Sequence, residues 1–254
     1  MKVTFLGTGT SQGVPLIACQ CAICTSTNPK DKRLRSSILI QHNDLNIVID
    51  SGPDFRQQML REGLQHLDAI VYTHEHKDHI AGLDDIRGFN FIMGLPVDLY
   101  LSERVENAIR REFDYIFAAH RYPGIPEVTL HTITNTPFDV KGLEFTPIEV
   151  MHMKLPIHAF RVHDFTYITD LKTISDVEKE KIRGSKVIVV NALRREEHPS
   201  HLNLEEAIAL MEELKPERAY FTHISHQLGL HDEVSLELPP YIQLAYDGLK
   251  IDID

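Results

Sequence analysis

A layered α/β sandwich built on mixed β-sheets is the fold class this sequence predicts, and three observations predict it. Short apolar runs rich in Val, Ile, Phe and Tyr recur along the 254 residues, each bounded by turn residues. There are more of them than one doubly wound sheet would hold. Amphipathic helical stretches fall between some of these runs, and each must bury its apolar stripe against a sheet face. Finally, some runs lie very close together around turn residues, as at Asn43-Asp44 and Asp247-Gly248, which predicts antiparallel hairpins beside the α/β alternation.

In chain order, the predicted strands are residues 2–6, 37–41, 45–50, 69–73, 97–101, 143–151, 159–162, 165–169, 186–191, 218–222, 242–246 and 249–253. Residues 54–62 and 175–183 read as short helices, and Ser102 can cap a helix running to about Phe117. The clearest helix covers 203–214, where Leu204, Ala207, Ile208, Met211 and Leu214 share one stripe. Asn203 is its N-cap, and Glu206 three residues on completes a capping box. No internal repeat, low-complexity stretch or Pro/Ser-rich linker divides the chain, so one domain over residues 1–254 is expected.

With 26 Lys+Arg against 37 Asp+Glu, the formal charge is −11. That balance disfavours a nucleic-acid backbone as partner, because neutralising many phosphates requires clustered Lys and Arg. A small anionic substrate fits if metal ions supply the positive charge. The start turns glycine-rich after five residues, too early for a signal peptide, and no run approaches the roughly 18 apolar residues of a membrane span. A soluble, cytoplasmic protein is expected.

Two counts stand out: 15 histidines, and only three cysteines, all within six positions at Cys19, Cys21 and Cys24. An odd, clustered set is no disulfide framework, and metal binding is the better reading. The strand ends carry the second signal. Strands 69–73, 143–151, 165–169 and 218–222 are followed by His74, His152, Asp170 and His223. Functional groups in open α/β architectures gather where strands terminate, so these four can converge on one edge. The densest segment, His74-Glu75-His76-Lys77-Asp78-His79, holds three imidazoles beside a ligand-type carboxylate, Asp78. Such a set suits a dinuclear centre of Zn²⁺ or Mn²⁺, whereas a merely polar turn would not explain the matching residues at the other strand ends.

His74-x-His76-x-Asp78-His79, followed in order by His152, Asp170 and His223, resembles the metallo-β-lactamase superfamily. The resemblance implies a four-layer αββα sandwich with two divalent metals at one edge. His74, His76 and His152 would hold one ion, Asp78, His79 and His223 the other, and Asp170 would bridge them. Asp50 matches an aspartate that orients ligands by hydrogen bonds. The opening Thr4-Phe5-Leu6-Gly7-Thr8-Gly9-Thr10-Ser11-Gln12-Gly13-Val14-Pro15 is similar to the phosphodiesterase branch containing tRNase Z and the PhnP-type cyclic phosphate phosphodiesterases. On its own this segment is a tight glycine turn; its spacing and Pro15 do not fit a dinucleotide fingerprint.

The cysteines sharpen the choice, since a closed tetrahedral zinc needs a fourth ligand. The PhnP-type resemblance supplies it as His226, giving a structural zinc of Cys19, Cys21, Cys24 and His226 that staples the N-terminal loop. The same resemblance makes His201 a proton donor to the leaving oxygen. Quinone-cofactor biosynthesis proteins of the PqqB type share a similar cysteine pattern but lack the complete set of ligands.

The implied activity is that of a metal-dependent phosphodiesterase with Asp78, Asp170 and His201 in its reacting centre. A hydroxide held between the metals would attack phosphorus in a small cyclic phosphodiester such as 5-phospho-α-D-ribosyl 1,2-cyclic phosphate, an intermediate of phosphonate breakdown. Two alternatives stand beside it. One is a tRNase Z-like ribonuclease, disfavoured by the acidic total and the lack of a long basic Gly-rich insertion; the other is a metal-stabilised binding protein with little turnover. Substrate selection is expected within residues 84–135 and 153–164, with Lys154 and Arg161 as candidate phosphate contacts. The resemblance also implies a homodimer.

Overall fold

A computed structural model of the chain describes residues 1–120 and 122–253. The first half of the chain runs β1 (Lys2–Gly7), α1 (Ala22–Thr25), β2 (Ser37–His42), β3 (Leu45–Ile49), α2 (Phe55–Glu62), β4 (Ala69–Val71), α3 (Lys77–Ile80), α4 (Arg87–Met93), β5 (Val97–Leu101), α5 (Glu103–Glu112) and β6 (Val128–Thr132). The second runs β7 (Phe138–Val140), β8 (Leu143–His152), β9 (Leu155–Val162), β10 (Phe165–Ile168), α6 (Asp176–Ile182), β11 (Val187–Asn191), α7 (Leu204–Leu214), β12 (Arg218–Thr222), α8 (His231–Ser235), β13 (Ile242–Leu244) and β14 (Lys250–Asp252).

The strands form two seven-stranded sheets, ordered β14-β1-β2-β3-β4-β5-β6 and β13-β12-β11-β10-β9-β8-β7. Each sheet joins an antiparallel meander, β1 to β3 or β7 to β10, to a parallel run, β3 to β6 or β10 to β13. The parallel runs bring β4, β10 and β12 to end on the same side as β3, which is where the ligand-type residues lie.

Side-chain alternation explains the layering, because neighbours along a strand point to opposite faces. Ile38, Ile40, Ile47 and Ile49 face Val187 and Val189 between the two sheets. The intervening Leu39 and Val48 face outward with Ile70 onto Phe55, Met59, Phe89 and Val105 of the helices. On the other sheet, Ile188 and Val190 pack on Ala207 and Met211 of α7. Three apolar layers thus separate helix, sheet, sheet and helix, the expected αββα order. The predicted capping box forms: Asn203 Oδ1 accepts from Glu206 N, and Glu206 Oε2 accepts from Asn203 N, both at 2.9 Å.

Several expectations are corrected. The hairpin at Asn43-Asp44 forms, with His42 opposite Leu45. Asp247-Gly248 does not close one: β13 pairs with β12, whereas β14 pairs with β1, so this turn carries the chain between sheets. The cause is the buried Asp247 carboxylate, which accepts from Thr8 Oγ1 at 2.8 Å and Leu34 N at 2.7 Å and so tethers the turn to the first sheet. Strands β6 and β7 were not anticipated; both are edge strands, and β6 in particular lacks a buried apolar face. Strand β9 starts at Leu155 rather than 159, because Pro156 lies outside the stretch paired to β10 and costs that ladder no donor. The helix after Ser102 ends at Glu112, followed by a short 3₁₀ turn over Asp114–Ile116. No helix among the described residues is long and apolar enough to cross a membrane.

Phe145 is fully buried and packs on the rings of Phe138 and Phe160, with centroids 5.5 and 6.1 Å away. Phe145→Ala is expected to cost about 3–5 kcal/mol in denaturant unfolding; a cost below about 1 kcal/mol would show that the inter-sheet layer does not carry the fold.

Candidate metal centre

Strand ends build the site. The chain leaves β3 at Asp50, β10 at Asp170 and β12 at His223, and all three residues adopt left-handed backbone, with φ of 64°, 58° and 55°. Each such non-glycine turn costs roughly 1–3 kcal/mol and persists only where its surroundings hold it. Here it swings the side chain off the sheet edge. Strand β8 ends on His152, and β4 leads through Thr73 to His74. His76 precedes α3, whose first turn contributes Asp78 and His79. The loop after Asp50 lies flush on α3: a Cβ on Gly52 would stand 2.0 Å from the Asp78 carbonyl oxygen, so only glycine fits.

Asp170 is the hub. Its Oδ2 lies 3.2 Å from His79 Nε2, and its Oδ1 lies 3.2 Å from His223 Nε2 and 3.5 Å from His201 Nδ1. His79 Nε2 is also 3.2 Å from Asp78 Oδ2. His74 Nε2 meets His76 Nδ1 at 3.0 Å, and the His76 and His152 rings lie 5.1 Å apart. Ligand atoms converge within 4.8 Å in three groups: His74, His79 and Asp170; Asp78, His79 and His223; and His152, Asp170 and His201. The structure therefore gathers every expected active-site ligand, with His76 on the exposed rim. It adds His201 to the immediate surroundings of Asp170.

The outer hydrogen bonds set which nitrogen faces the cluster. Asp50 accepts from Thr73 N at 2.9 Å, Thr73 Oγ1 at 2.8 Å and His79 Nδ1 at 2.7 Å, which turns His79 Nε2 inward. His152 Nδ1 lies 3.0 Å from the Asp170 carbonyl and 2.9 Å from that of Ser200, so its Nε2 is the inward atom. Asn191, buried at the end of β11, clamps the turn after Asp170 by bonding both the amide and the carbonyl of Leu171.

Burial opposes charge throughout the cluster, and the partners decide the outcome. For His79, burial is outweighed by Asp78, Asp50 and Asp170, which hold its pKa well above the ordinary value. Asp170 is likewise buried, yet His223 and His79 hold it well below the carboxylate range. Burial pushes His74 well down and lowers His201 to about 3. Two buried nitrogens, His79 Nε2 and His201 Nδ1, face carboxylate oxygens at 3.2–3.5 Å without hydrogen-bond geometry. Acidic and imidazole donors with inward atoms so placed call for cations, and the set fits two divalent ions.

A second cluster lies apart from this one. Cys19 Sγ and Cys21 Sγ stand 3.5 and 3.3 Å from His226 Nδ1, and with Cys24 all four donor atoms fall within 4.8 Å. The bond to His226 draws the Cys21 thiol down to about 6, while burial pushes Cys24 up to about 11. Three sulfurs and one imidazole make a closed donor set that can hold a structural zinc.

The mouth beside the His/Asp cluster is a cavity of about 490 Å³ whose lining includes His76, Arg104, His152, Lys154 and Ser200. Lys154, a candidate phosphate contact from the sequence, lines this mouth. Arg161 does not: its guanidinium donates to the carbonyls of His163, Lys181 and Arg183 and ties β9 to α6. Sequence reasoning missed Thr73, Asn191 and Arg104. A signal for the first was present, since threonine precedes the ligand-type residue at Thr73-His74, Thr169-Asp170 and Thr222-His223. Arg104 carries none.

Residues 45–224 match the model of the beta-lactamase superfamily domain. With its layers and its His/Asp cluster at the strand ends, the chain belongs to the metallo-β-lactamase superfamily. A crystal structure described as a new diphosphatase from the PhnP family is 42% identical, with a TM-score of 0.93 over 98% of this chain and 96% of that one. Within the superfamily, the chain is a member of the PhnP family. Zinc-bound PqqB from Methylobacterium extorquens shares the fold at 22% identity, with a TM-score of 0.79 and full coverage of both chains. The octanoyltransferase of Porphyromonas gingivalis is 40% identical over 257 residues, covering all of this chain and 52% of that protein. The chain spans about half, or less, of the length of the curated relatives it matches.

The histidines make a testable pH signature in chelator-treated protein. His74, His76, His158, His198, His201, His223 and His231 are all shifted down, chiefly by burial, with His201 at about 3 and His231 at about 4. Their stabilisation is fully present above the unfolded value near 6.5 and is lost as pH falls toward 4 and below. Asp50, Asp85 and Asp247, shifted up by burial, work in the opposite direction but are fewer. Melting temperature is expected to fall between pH 6.5 and 4; a flat profile there would mean these imidazoles are not held neutral.

Proposed function

We propose that this protein is a metal-dependent hydrolase that cleaves a phosphoester bond in a small anionic substrate, with a cyclic phosphodiester of the 5-phospho-α-D-ribosyl 1,2-cyclic phosphate type as the leading candidate. The convergence of His74, His76, His79, His152, His223, Asp78 and Asp170 at one sheet edge carries this reading. His74, His76 and His152 would hold one ion, Asp78, His79 and His223 the other, and Asp170 would serve both. When bound, two divalent cations supply Lewis-acid neutralisation of phosphate oxygens and an activated water.

The protein's own groups do the rest. Asp50 fixes His79, and the carbonyls of Asp170 and Ser200 fix His152, so the donor set is oriented before substrate arrives. Arg104 and Lys154 line the mouth and give an acidic protein a local site for an anion. His201 directs Nδ1 toward Asp170, which leaves Nε2, once the ring is protonated, to pass that proton to the leaving oxygen and return to the neutral form. Burial opposes the charged ring, whereas Asp170 and an arriving phosphate anion favour the protonation that the role requires.

The PhnP-family diphosphatase favours a second reading, in which the bond cleaved is a phosphoanhydride in a diphosphate. The same cluster suits either bond. As a working picture, we take the chain to act as a single domain in the cytoplasm, as a homodimer, on a small molecule and not on nucleic acid.

Element analysis is paired with turnover of a ribose cyclic phosphate, a diphosphate diester, bis(p-nitrophenyl) phosphate and a pre-tRNA transcript. About three ions per chain are expected, two in the centre and one on the cysteines. Cyclic-phosphate turnover with intact pre-tRNA supports the leading candidate, and preference for the diphosphate supports the second reading. Cleaved pre-tRNA would favour a tRNase Z-like ribonuclease. One ion and no hydrolysis would leave a metal-stabilised binding protein. Asp170→Ala should lose active-site metal and turnover together, whereas His201→Ala should keep metal and lose about 10²–10⁴-fold in turnover. Normal turnover in His201→Ala would refute the proton-donor role.

A further inference from the structure

The glycine segment Gly7-Thr8-Gly9-Thr10-Ser11-Gln12-Gly13 carries one hydroxyl, on Thr10, that reaches the metal centre. The fold pins the loop there from two sides. On one, Thr10 N donates to the Ile224 carbonyl at 3.1 Å and Ile224 N to the Thr8 carbonyl at 2.9 Å, so the loop runs beside the residue that follows His223. On the other, it rests on residues 33–35: a Cβ on Gly7 would stand 1.9 Å from the Arg35 carbonyl oxygen, and one on Gly9 2.9 Å from that of Arg33. Arg35, paired with Asp54, also donates from Nε to the Ser11 carbonyl at 3.1 Å. The glycines therefore serve a close backbone fit that leaves Thr10 little freedom to move.

Thr10 Oγ1 lies 3.3 Å from His223 Nε2, and this imidazole is the hydroxyl's one partner among the described residues. The ring's other neighbour decides which atom gives the hydrogen. Thr169 Oγ1 donates to Asp170 Oδ2 at 2.7 Å, so it meets His223 Nδ1, at 3.4 Å, as an acceptor. Nδ1 then carries the ring hydrogen, Nε2 keeps a lone pair, and Thr10 donates to it. That lone pair is the one His223 would give to an ion shared with Asp78 and His79. Once it is given, the Thr10 hydroxyl has lost its acceptor, while the bond to Ile224 keeps the backbone in place. Asp170 Oδ1, also beside Nε2 at 3.2 Å, is committed to the ions in the reading above. A hydroxyl held beside a cation and short of an acceptor suits an anionic oxygen.

We propose that Thr10 is a substrate-contacting residue whose hydroxyl donates to a phosphate oxygen on the side of the centre formed by Asp78, His79 and His223. The inference rests on the phosphoester reading above and adds a contact to the phosphate from the loop after β1. This contact is separate from Arg104 and Lys154, which line the mouth beside His76 and His152.

Calorimetric titration of the metal-loaded protein with inorganic phosphate tests it, in the wild type, Thr10→Val and Thr10→Ser, with metal content and melting temperature measured on each sample. Saturable binding by the wild type is expected, weakened at least about tenfold in Thr10→Val and kept within about threefold in Thr10→Ser, at unchanged metal content. Turnover of the phosphoester that the wild type hydrolyses best should fall in the same order. Thr10→Ala takes the place of the valine variant if valine lowers the melting temperature. Equal phosphate affinity in the wild type and Thr10→Val overturns the proposal, as does a wild type that binds no phosphate or a serine variant as weak as the valine one. Loss of active-site metal from Thr10→Val also overturns it, because Thr10 would then be only a support for His223. Equal affinities together with ester hydrolysis leave the phosphoester reading standing without the contact. Thr10-dependent phosphate binding with no ester or diphosphate hydrolysed does the reverse: it supports the contact and refutes the reaction.

Discussion

The buried carboxylate of Asp170 draws His79, His201 and His223 to within 3.2–3.5 Å of its two oxygens, from three separate segments of the chain. A negative charge in that position is tolerable only if positive charge meets it, and apart from the Thr169 hydroxyl, which donates to Oδ2 at 2.7 Å, the groups named around it are imidazoles. Protons on His79 or divalent cations among the nitrogens can each do this, and cations also satisfy His79 Nε2 and His201 Nδ1, which face carboxylates without hydrogen-bond geometry. The strained turns at Asp50, Asp170 and His223, the glycine at position 52 and the clamp of Asn191 all follow from the need to bring these groups to one point.

Much of this was legible in the sequence, for a physical reason. Metal-type side chains are foreign to apolar strands, so His74, His152, Asp170 and His223 announce themselves directly after runs of Val, Ile and Phe. The layering was equally readable, because alternation along Ile38–Ile40 and Val187–Val190 sends neighbouring residues to opposite faces. What escaped depends on partners distant in the chain. Strand β6 is half-exposed at a sheet edge and lacks an apolar run; Asp247-Gly248 reads as a reversal, but turn chemistry does not say which sheet receives the next strand. Arg161 carries the right charge, and only the fold shows three carbonyls of the β9–β10 turn and α6 already holding it.

The two sheets divide the labour unequally. The first supplies the dense segment after β4 together with Asp50, while the second supplies His152, Asp170 and His223 as single residues at separate strand ends. Spacing within the dense segment is local and set by a few backbone angles. Placement of the other three depends on the packing of Phe145, Phe160, Tyr167 and their neighbours between the sheets. The inter-sheet core is therefore also the ruler that sets the geometry of the centre.

The cysteine cluster joins residues 207 positions apart, since Cys19 meets His226. Its fourth donor follows β12, so the site cannot be completed until a ribosome has made the chain through β12. Until then the loop between β1 and β2 has to wait, with its thiols uncovered, for a histidine 207 positions further along the chain than Cys19. The closure of that ring marks, in time as well as in space, the moment at which the two halves of the chain become one object.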